Sequence, residues 1–258
     1  MNKMIVFLRY ITGLLLIVCN LCQGASSVLV WPVYPVIEAD QSGVPLWLEN
    51  RGTSSVTLQI RVLAWRQQGM QDRYSDQTSA VASPPFATIS PGKRQLVRLM
   101  RVSPVAAGRE ESYRIIIDEL PSPEQEQKTN EVGLKLQMRY LLPLFIDGPG
   151  IWTKPRSDKA ERDPATATRP ILSWHTENGF LVVRNSGIVH ARLTHVFWGD
   201  TPQDTRPALS VASGLLGYIL PGQEMKWPLP SGRTVPVGKT LYAQLADNTL
   251  PVAIASSR

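Results

Sequence analysis

Three histidines are the side chains in this sequence best suited to proton transfer or metal binding: His175, His190 and His195. His190 and His195 are five positions apart in a stretch with strand character, so their side chains should point to opposite faces. That spacing does not suit a pair of metal ligands. The chain contains no HExxH, GxSxG, Walker or Rossmann glycine motif. We therefore expect no metal, no cofactor and no catalytic histidine.

Two pairs of adjacent acids, Glu110-Glu111 and Asp118-Glu119, are the remaining candidates for acid–base chemistry. Neighbouring residues of a strand point to opposite faces, so neither pair would converge on one substrate atom. We interpret both pairs as solvated or structural acids. The sequence thus predicts a protein that is not an enzyme.

The N-terminus has the order of a secretory signal peptide. Lys3 and Arg9 precede an apolar run over 10–18, and small or polar residues follow over 22–25. We predict a leader over 1–24, cleaved after Gly24, with cleavage after Ala25 as the alternative. The apolar run is shorter than the roughly 20 residues that cross a bilayer, so we expect no membrane insertion after cleavage.

Both cysteines, Cys19 and Cys22, lie within that leader, so the mature chain should have no disulfide. The formal net charge of +6 falls by two when Lys3 and Arg9 are removed. The remaining bases are scattered along the chain, without the Lys/Arg clusters of nucleic-acid-binding proteins. We therefore expect no nucleic-acid partner.

The elements that must position any site are strands. In the stretch 57–64, apolar and polar residues alternate, and the apolar set is Leu58, Ile60, Val62 and Ala64. This period of two predicts a half-buried antiparallel strand. No segment has a convincing 3.6-residue apolar period over a dozen residues. The sequence therefore predicts an all-β fold.

Turn signals divide the strands into two groups. The first group has seven candidates, near 28–37, 43–49, 55–66, 86–90, 94–101, 112–120 and 132–145. The second also has seven, near 170–174, 179–184, 189–198, 215–220, 224–228, 240–246 and 250–255. We predict domains over 25–148 and 149–258, with a hinge at 148–150 and a linker or long loop over 154–169. Pro32 and Pro35 require the first strand to lie at an edge or to switch sheets.

Several segments, in order along the chain, resemble the periplasmic chaperones of chaperone–usher pilus assembly, the PapD-like family. They are 84–92 with 96–99, 108–121, and, in the second domain, 181–187 with 191–194. The stretches 30–38, 137–140 and 143–145 resemble the archaic branch, whose chaperones serve spore-coat-protein-U-like pilins. The resemblance spans both predicted domains, and the signal peptide agrees with it.

This resemblance implies two immunoglobulin-like β-sandwich domains in a boomerang arrangement, located in the periplasm. It implies a chaperone that folds and caps pilin subunits and delivers them to an outer-membrane usher. The mechanism it implies is donor-strand complementation, in which an extended strand of the chaperone fills the groove of an incomplete subunit. Since no nucleotide motif is present, subunit release would come from strand exchange.

The candidate donor strand lies within 132–140. Its apolar face consists of Val132, Leu134, Leu136 and Met138. An ordinary core strand has the same alternation, and this alternative remains open. The polar segment 121–131 before the strand and the family resemblance favour the donor interpretation.

The family also implies basic residues that bind the C-terminal carboxylate of the subunit. Its usual arginine on the first strand and lysine on the last are missing, because 28–37 has no base and 141–143 is apolar. We predict Arg114 as the primary anchor, Arg139 as a helper and Lys135 as a third candidate. The alternative for Arg114 is an internal pair with an acid such as Glu110 or Glu111.

One further residue follows from the resemblance. Asp247 resembles a family acid that forms an interdomain ion pair, although an acid at this place is also a common turn residue. Two other functions compete with the chaperone: a structural or adhesive immunoglobulin-like module of a surface fibre, and a secreted β-sandwich hydrolase. The first would be sheared from the cell surface, and the second needs convergent titratable groups that the sequence lacks.

Overall fold

The computed structural model describes residues 28–121 and 137–257. The predicted leader and its cleavage sites lie outside these residues. Within them the chain forms seventeen β-strands and one short 3-10 turn, Pro164–Thr166, and no α-helix, which confirms the all-β prediction. No helix long and apolar enough to cross a membrane occurs in these two ranges.

The first domain is a sandwich of two sheets. A four-stranded sheet has the order β1-β3-β8-β6, and it packs on a sheet of order β2-β10-β9-β4-β5, in which β7 also pairs with β4. The strands are β1 Val28–Trp31, β2 Val36–Ile37, β3 Gly43–Asn50, β4 Val56–Gln68, β5 Gln71–Ser75, β6 Ala80–Ser83, β7 Phe86–Ile89, β8 Arg94–Arg101, β9 Glu110–Leu120 and β10 Arg139–Asp147.

Alternation along these strands produces the first core. Leu58 of β4, Leu99 of β8 and Ile115 of β9 are fully buried between the sheets. Burying one such side chain contributes about 1.5–3 kcal/mol. The core face of β10 continues this pattern through Tyr140, Leu142 and Leu144.

Two strand predictions for this domain were wrong. β5 and β6 were missed, because their sequences are short and lack an apolar alternation. The first predicted strand is two strands, β1 in one sheet and β2 in the other, and Pro32 and Pro35 lie between them. This outcome confirms the prediction that the first strand lies at an edge or switches sheets.

The second domain has seven strands, and each predicted segment overlaps one of them. They are β11 Leu172–Glu177, β12 Phe180–Asn185, β13 Ala191–Gly199, β14 Leu209–Ile219, β15 Glu224–Pro228, β16 Thr240–Gln244 and β17 Val252–Ser256. Their order is β14-β13-β16-β17-β11-β12-β15. The sheet folds over one core, because Leu181 of β12 and Trp198 of β13 belong to the same buried cluster.

A small buried interface joins the two domains. Trp65 and Phe145 from the first domain pack with Tyr218 and Leu220 from the second. The buried amide of Gln67 donates to the Tyr218 carbonyl at 2.9 Å and accepts from the Leu220 N–H at 2.9 Å. These paired bonds satisfy polar groups that would be costly to bury alone, so they fix the register of one domain against the other.

The charged segment between the domains lies on the first domain. Arg156 contacts Glu38 at 3.0 Å and Asp40 at 2.7 Å, and Arg162 contacts Glu38 at 2.7 Å. The Arg156 guanidinium holds the pKa of Asp40 below its usual range. β10 ends at Asp147 and β11 begins at Leu172. The division of the chain at Gly148 itself stays a prediction.

Candidate functional site

The outer face of the β4-β9-β10 sheet points away from the first core, towards the second domain. On β9, Ile115 and Ile117 face the core, so Arg114 must face outward. The register places Arg114 between Leu63 of β4 and Pro143 of β10. An arginine thus stands in the middle of a largely apolar sheet face.

This face forms one wall of a cleft of about 840 Å³. The opposite wall comes from the second domain and includes Arg192, Tyr218 and Trp227. Several large apolar side chains that line the cleft remain exposed to solvent, namely Leu29, Val33, Leu141 and Leu215. Exposed apolar surface lining a cleft is typical of an interaction site.

Arg114 lies at the base of the cleft with only 12% of its side chain exposed. Its guanidinium carbon lies 3.6 Å from the centre of the Trp65 ring and 5.4 Å from that of Tyr218. It does contact an acid of its own domain, as the alternative expected, but that acid is Asp72, at 3.9 Å, rather than Glu110 or Glu111. The buried Nε has no hydrogen-bond partner among the described residues.

Asp72 holds this arrangement in place from β5. It lies directly opposite Gln67 in the β4-β5 pair and accepts hydrogen bonds from the Trp65 indole at 2.9 Å and the Gln67 amide at 3.0 Å. Because these bonds orient the Trp65 ring, they also position the guanidinium stacked on it. Stacking on an aromatic face stabilises a cation while leaving its edge donors available.

The other predicted anchors lie elsewhere. Arg139 is exposed at the rim of the cleft and pairs with Asp118, its register partner on β9. Arg61 also contacts Asp118, at 2.8 Å, and the two arginines hold the pKa of that carboxyl below its usual range despite its partial burial. Lys135 lies outside the described residues. Among the described residues, Arg139 therefore already has a close counter-ion, whereas that of Arg114 is distant.

The predicted donor residues fall at the limit of the described chain. Val132, Leu134 and Leu136 lie outside the described residues. Met138 is partly exposed just before β10, and its backbone carbonyl accepts from the Glu119 N–H at 3.0 Å. Its alternation places it on the same side of the strand as Tyr140.

Two strand edges beside the cleft are unpaired in the part of the chain that the structure describes. β10 pairs with β9 along its whole length, but β2 covers its other edge only at Phe145 and Ile146. β1 pairs only with β3. Residues of both strands line the cleft. Pro143 is tolerated within β10 because that stretch is an edge.

Asp247 lies on the second-domain side of the cleft and does contact the first domain. It accepts a hydrogen bond from the Tyr34 hydroxyl, and it pairs with Arg192 of its own domain at 2.7 Å. Tyr34 and Arg192 together hold the pKa of Asp247 below its usual range. Its interdomain partner among the described residues is thus a tyrosine rather than a base.

The histidines and acid pairs do not form a reactive centre. His190 precedes β13, stacks on Phe145 with ring centres 3.4 Å apart, and binds Glu110 through Nδ1 at 2.8 Å. Glu110 is therefore a buried structural acid. The prediction of one strand for His190 and His195 is wrong, since β13 starts at Ala191 and shifts register near His195. Residues 28–121 and 137–257 contain no cluster suited to a metal.

Sequence reasoning missed Arg192, Tyr34 and the Trp65–Gln67 support. For β4 a signal was present: after Arg61, the nominally polar face continues through Leu63 and Trp65. An apolar residue on both faces of a strand indicates burial on both sides. Nothing in the sequence pairs Arg192 with Asp247, because 55 residues separate them.

Comparisons with known proteins agree with this architecture. Residues 33–151 match the family model of the pili and flagellar-assembly chaperones, PapD N-terminal domain. A search of curated protein sequences gave no significant match. Among solved structures, a chain of the CsuC–CsuE chaperone–tip adhesion subunit pre-assembly complex, from archaic chaperone-usher Csu pili of Acinetobacter baumannii, is 29% identical. The match has a TM-score of 0.70 and covers 90% of this chain and 100% of that one.

Two more distant structures share the fold. The Salmonella enterica SafA pilin–SafB chaperone complex matches at 16% identity and a TM-score of 0.60, over 90% of this chain and 97% of that one. The Pseudomonas aeruginosa CupB2 chaperone matches at 17% identity and a TM-score of 0.58, over 88% and 100%. The matched family consists of chaperones, which supports the prediction that the chain is not an enzyme. The match of the first domain to this family model and the likeness of the whole chain to the CsuC–CsuE structure support a PapD-like pilus chaperone, archaic branch included.

Proposed function

We propose that this chaperone holds a pilin subunit in the cleft, by lending it the strand that leads into β10, and delivers it to an outer-membrane usher. The observation that carries the proposal is a pair of strand edges, on β1 and β10, which the described residues leave largely unpaired beside a cleft with exposed apolar walls. The known chaperones of this family act in the periplasm, and the predicted leader agrees with that location.

An exposed strand edge offers a row of free backbone donors and acceptors to another chain. Soluble proteins normally protect such edges, so an edge that remains open beside apolar surface fits a partner that adds a strand. In the CsuC–CsuE and SafA–SafB structures the chaperone holds a tip adhesion subunit or a pilin. The same class of partner suits this cleft.

The residues before Met138 would supply the side chains that enter the subunit groove. Leu134 and Leu136 continue the apolar alternation of β10 in the sequence. Apolar side chains on every second residue can fill successive pockets while the backbone pairs with the subunit edge. The cation of Arg114, buried on the neighbouring strand β9, would bind the carboxylate that ends the subunit chain.

Delivery needs a second surface that stays accessible while the cleft is filled. The outer face of the four-stranded sheet carries Trp31 and Trp47, stacked with ring centres 6.2 Å apart, and Arg94 lies 5.5 Å from the Trp31 ring. Neither tryptophan is fully buried. We infer that this tryptophan face, on the opposite side of the sandwich from the sheet face that carries Arg114, contacts the usher.

Co-purification from a periplasmic extract tests strand donation. Tagged wild-type protein is compared with a Leu134→Arg, Leu136→Arg variant in cells that express the neighbouring pilus proteins. Wild type should retain a small fibre subunit in a 1:1 complex, and the variant should not, because two arginines cannot enter apolar pockets.

The matched control is a Gly133→Arg, Gln137→Arg variant, which adds the same charge to the other face of the strand. It should retain the subunit, and circular dichroism should show that all three proteins fold. Loss of the subunit in the control as well as the variant would assign the effect to charge rather than to the donor face. Retention by both variants would refute strand donation.

A further inference from the structure

Two arginines from different domains flank one tyrosine in the cleft. Arg114 of β9 lies 5.4 Å from the centre of the Tyr218 ring. Arg192 of β13 is directly opposite Tyr218 in the β13-β14 register and lies against Tyr34, with 4.9 Å between its guanidinium carbon and that ring. Burial raises the pKa of Tyr218, while both guanidiniums act in the opposite direction. Both cations are therefore electrostatically coupled to the same phenol.

Neither guanidinium uses all of its donors. Each has five N–H groups in a fixed fork. Arg114 reaches a carboxylate only at 3.9 Å and has an unpartnered buried Nε in the described structure. Arg192 is 19% exposed and contacts Asp247 through one nitrogen at 2.7 Å. The buried Nε of Arg114, which has no partner among the described residues, and a second mostly buried cation beside the same tyrosine favour an anion within reach of both.

We propose that Arg114 and Arg192 form one carboxylate clamp that spans both domains. The clamp rests on the proposed function, since its natural ligand is the C-terminal carboxylate of the subunit. It adds a residue of the second domain to the anchor. A carboxylate held by both arginines ties the two walls of the cleft together, so subunit binding also stabilises the angle between the domains.

Asp247 sets the state of this clamp when no subunit is bound. Its carboxylate binds one guanidinium nitrogen of Arg192 and also accepts a hydrogen bond from the Tyr34 hydroxyl. Because half of the Asp247 side chain is exposed, its attraction for Arg192 is screened by solvent. An incoming carboxylate in the drier base of the cleft competes well for the remaining donors.

The test uses the folded mature protein and a small probe, N-acetylglycine, with N-acetylglycinamide as the neutral control. Arginine side-chain NMR signals follow binding in wild type, Arg114→Gln, Arg192→Gln and the double variant. Each single substitution should weaken probe binding about tenfold or more, as expected for a charge-assisted hydrogen bond. The double variant should lose little beyond either single one, because the two arginines act as a unit.

Arg184→Gln is the charge-matched control, since Arg184 is exposed on β12, outside the cleft lining. It should leave binding unchanged. If Arg192→Gln fails to fold, Arg192→Lys keeps the charge, loses the fork, and should still weaken binding. The interdomain effect is measured as slower hydrogen exchange of the Leu220 amide, which donates to Gln67, when the probe is bound.

Unchanged probe affinity in the folded Arg192 variants would overturn the clamp and leave an anchor in the first domain alone. Equal binding of the neutral amide would overturn carboxylate recognition altogether. Both results are independent of strand donation, because the probe has no strand to exchange. Failure of subunit co-purification with intact probe binding would instead refute the proposed function.

Discussion

Asp147 should make the stability of this protein depend on pH near neutrality. It ends β10 opposite Glu110, is fully buried, and has no hydrogen-bond partner on either carboxylate oxygen among the described residues. Burial, helped by the charges of Glu110 and Glu38, raises the pKa of Asp147 to about 8. The perturbation is Asp147→Asn, which keeps the shape and removes the titration.

Because the pKa of Asp147 is raised, the protein should become less stable as the pH rises towards 8. Between about pH 4 and about pH 8, folded Asp147 keeps a proton that the unfolded chain releases, so each unit of rising pH lowers the free energy of unfolding by about 1.4 kcal/mol. From pH 6 to pH 7.5 the loss is about 2 kcal/mol, a large part of the 5–15 kcal/mol of a typical protein. The free energy of unfolding of Asp147→Asn lacks this dependence on pH. Between pH 6 and pH 7.5 it should therefore rise by about 2 kcal/mol relative to that of wild type.

Urea unfolding followed by tryptophan fluorescence at pH 6 and pH 7.5 measures the difference. Asp158→Asn is the control: its pKa is lowered by Arg156, so Asp158 is ionised at both pH values in both states. The gap between wild type and this control should therefore not change with pH. An equal gap between wild type and Asp147→Asn at both pH values would refute the reasoning, as would an Asp147 carboxyl carbon that titrates near pH 4.

Two further outcomes follow from other contacts. Gln67→Leu leaves the Tyr218 carbonyl and the Leu220 N–H without their partner in the other domain. It should lower the free energy of unfolding by about 1–3 kcal/mol and speed hydrogen exchange of the Leu220 amide. Unchanged exchange of that amide would contradict the role assigned to Gln67. Trp47→Glu should abolish binding to purified usher while subunit co-purification persists; retained usher binding would place the contact elsewhere.

Most of the fold could be predicted from the alternation of apolar and polar residues along the strands. The apolar face of β4 could be read from period two alone, and Pro32 and Pro35 indicated the switch between sheets. β5 could not be found this way, because its residues alternate without an apolar face. It exists as the return strand of a hairpin whose turn, Gly69-Met70, has positive φ at both residues. Turn geometry, rather than burial, defines that strand.

The site was only half accessible from sequence. Arg114 could be predicted because a base at the start of an apolar run needs an anion, but the aromatic face of Trp65 on which it stacks could not. Arg192 alternates with buried residues on β13, as any solvent-facing arginine would. Its position in the cleft depends on how two domains meet, and that geometry rests on contacts such as Gln67 with Leu220 that no local pattern encodes.

Ribosomes make this chain from its N-terminus, so Trp65 and Gln67 exist long before Tyr218 and Leu220 do. During that interval the first domain carries an apolar, adhesive patch whose polar centre has no partner across the joint. The second domain therefore buries the apolar surface of the first domain at the interface. A chain that ended before residue 218 would expose this interface and be prone to aggregate. The chaperone must therefore be synthesised as far as its second domain before its own apolar surface is buried.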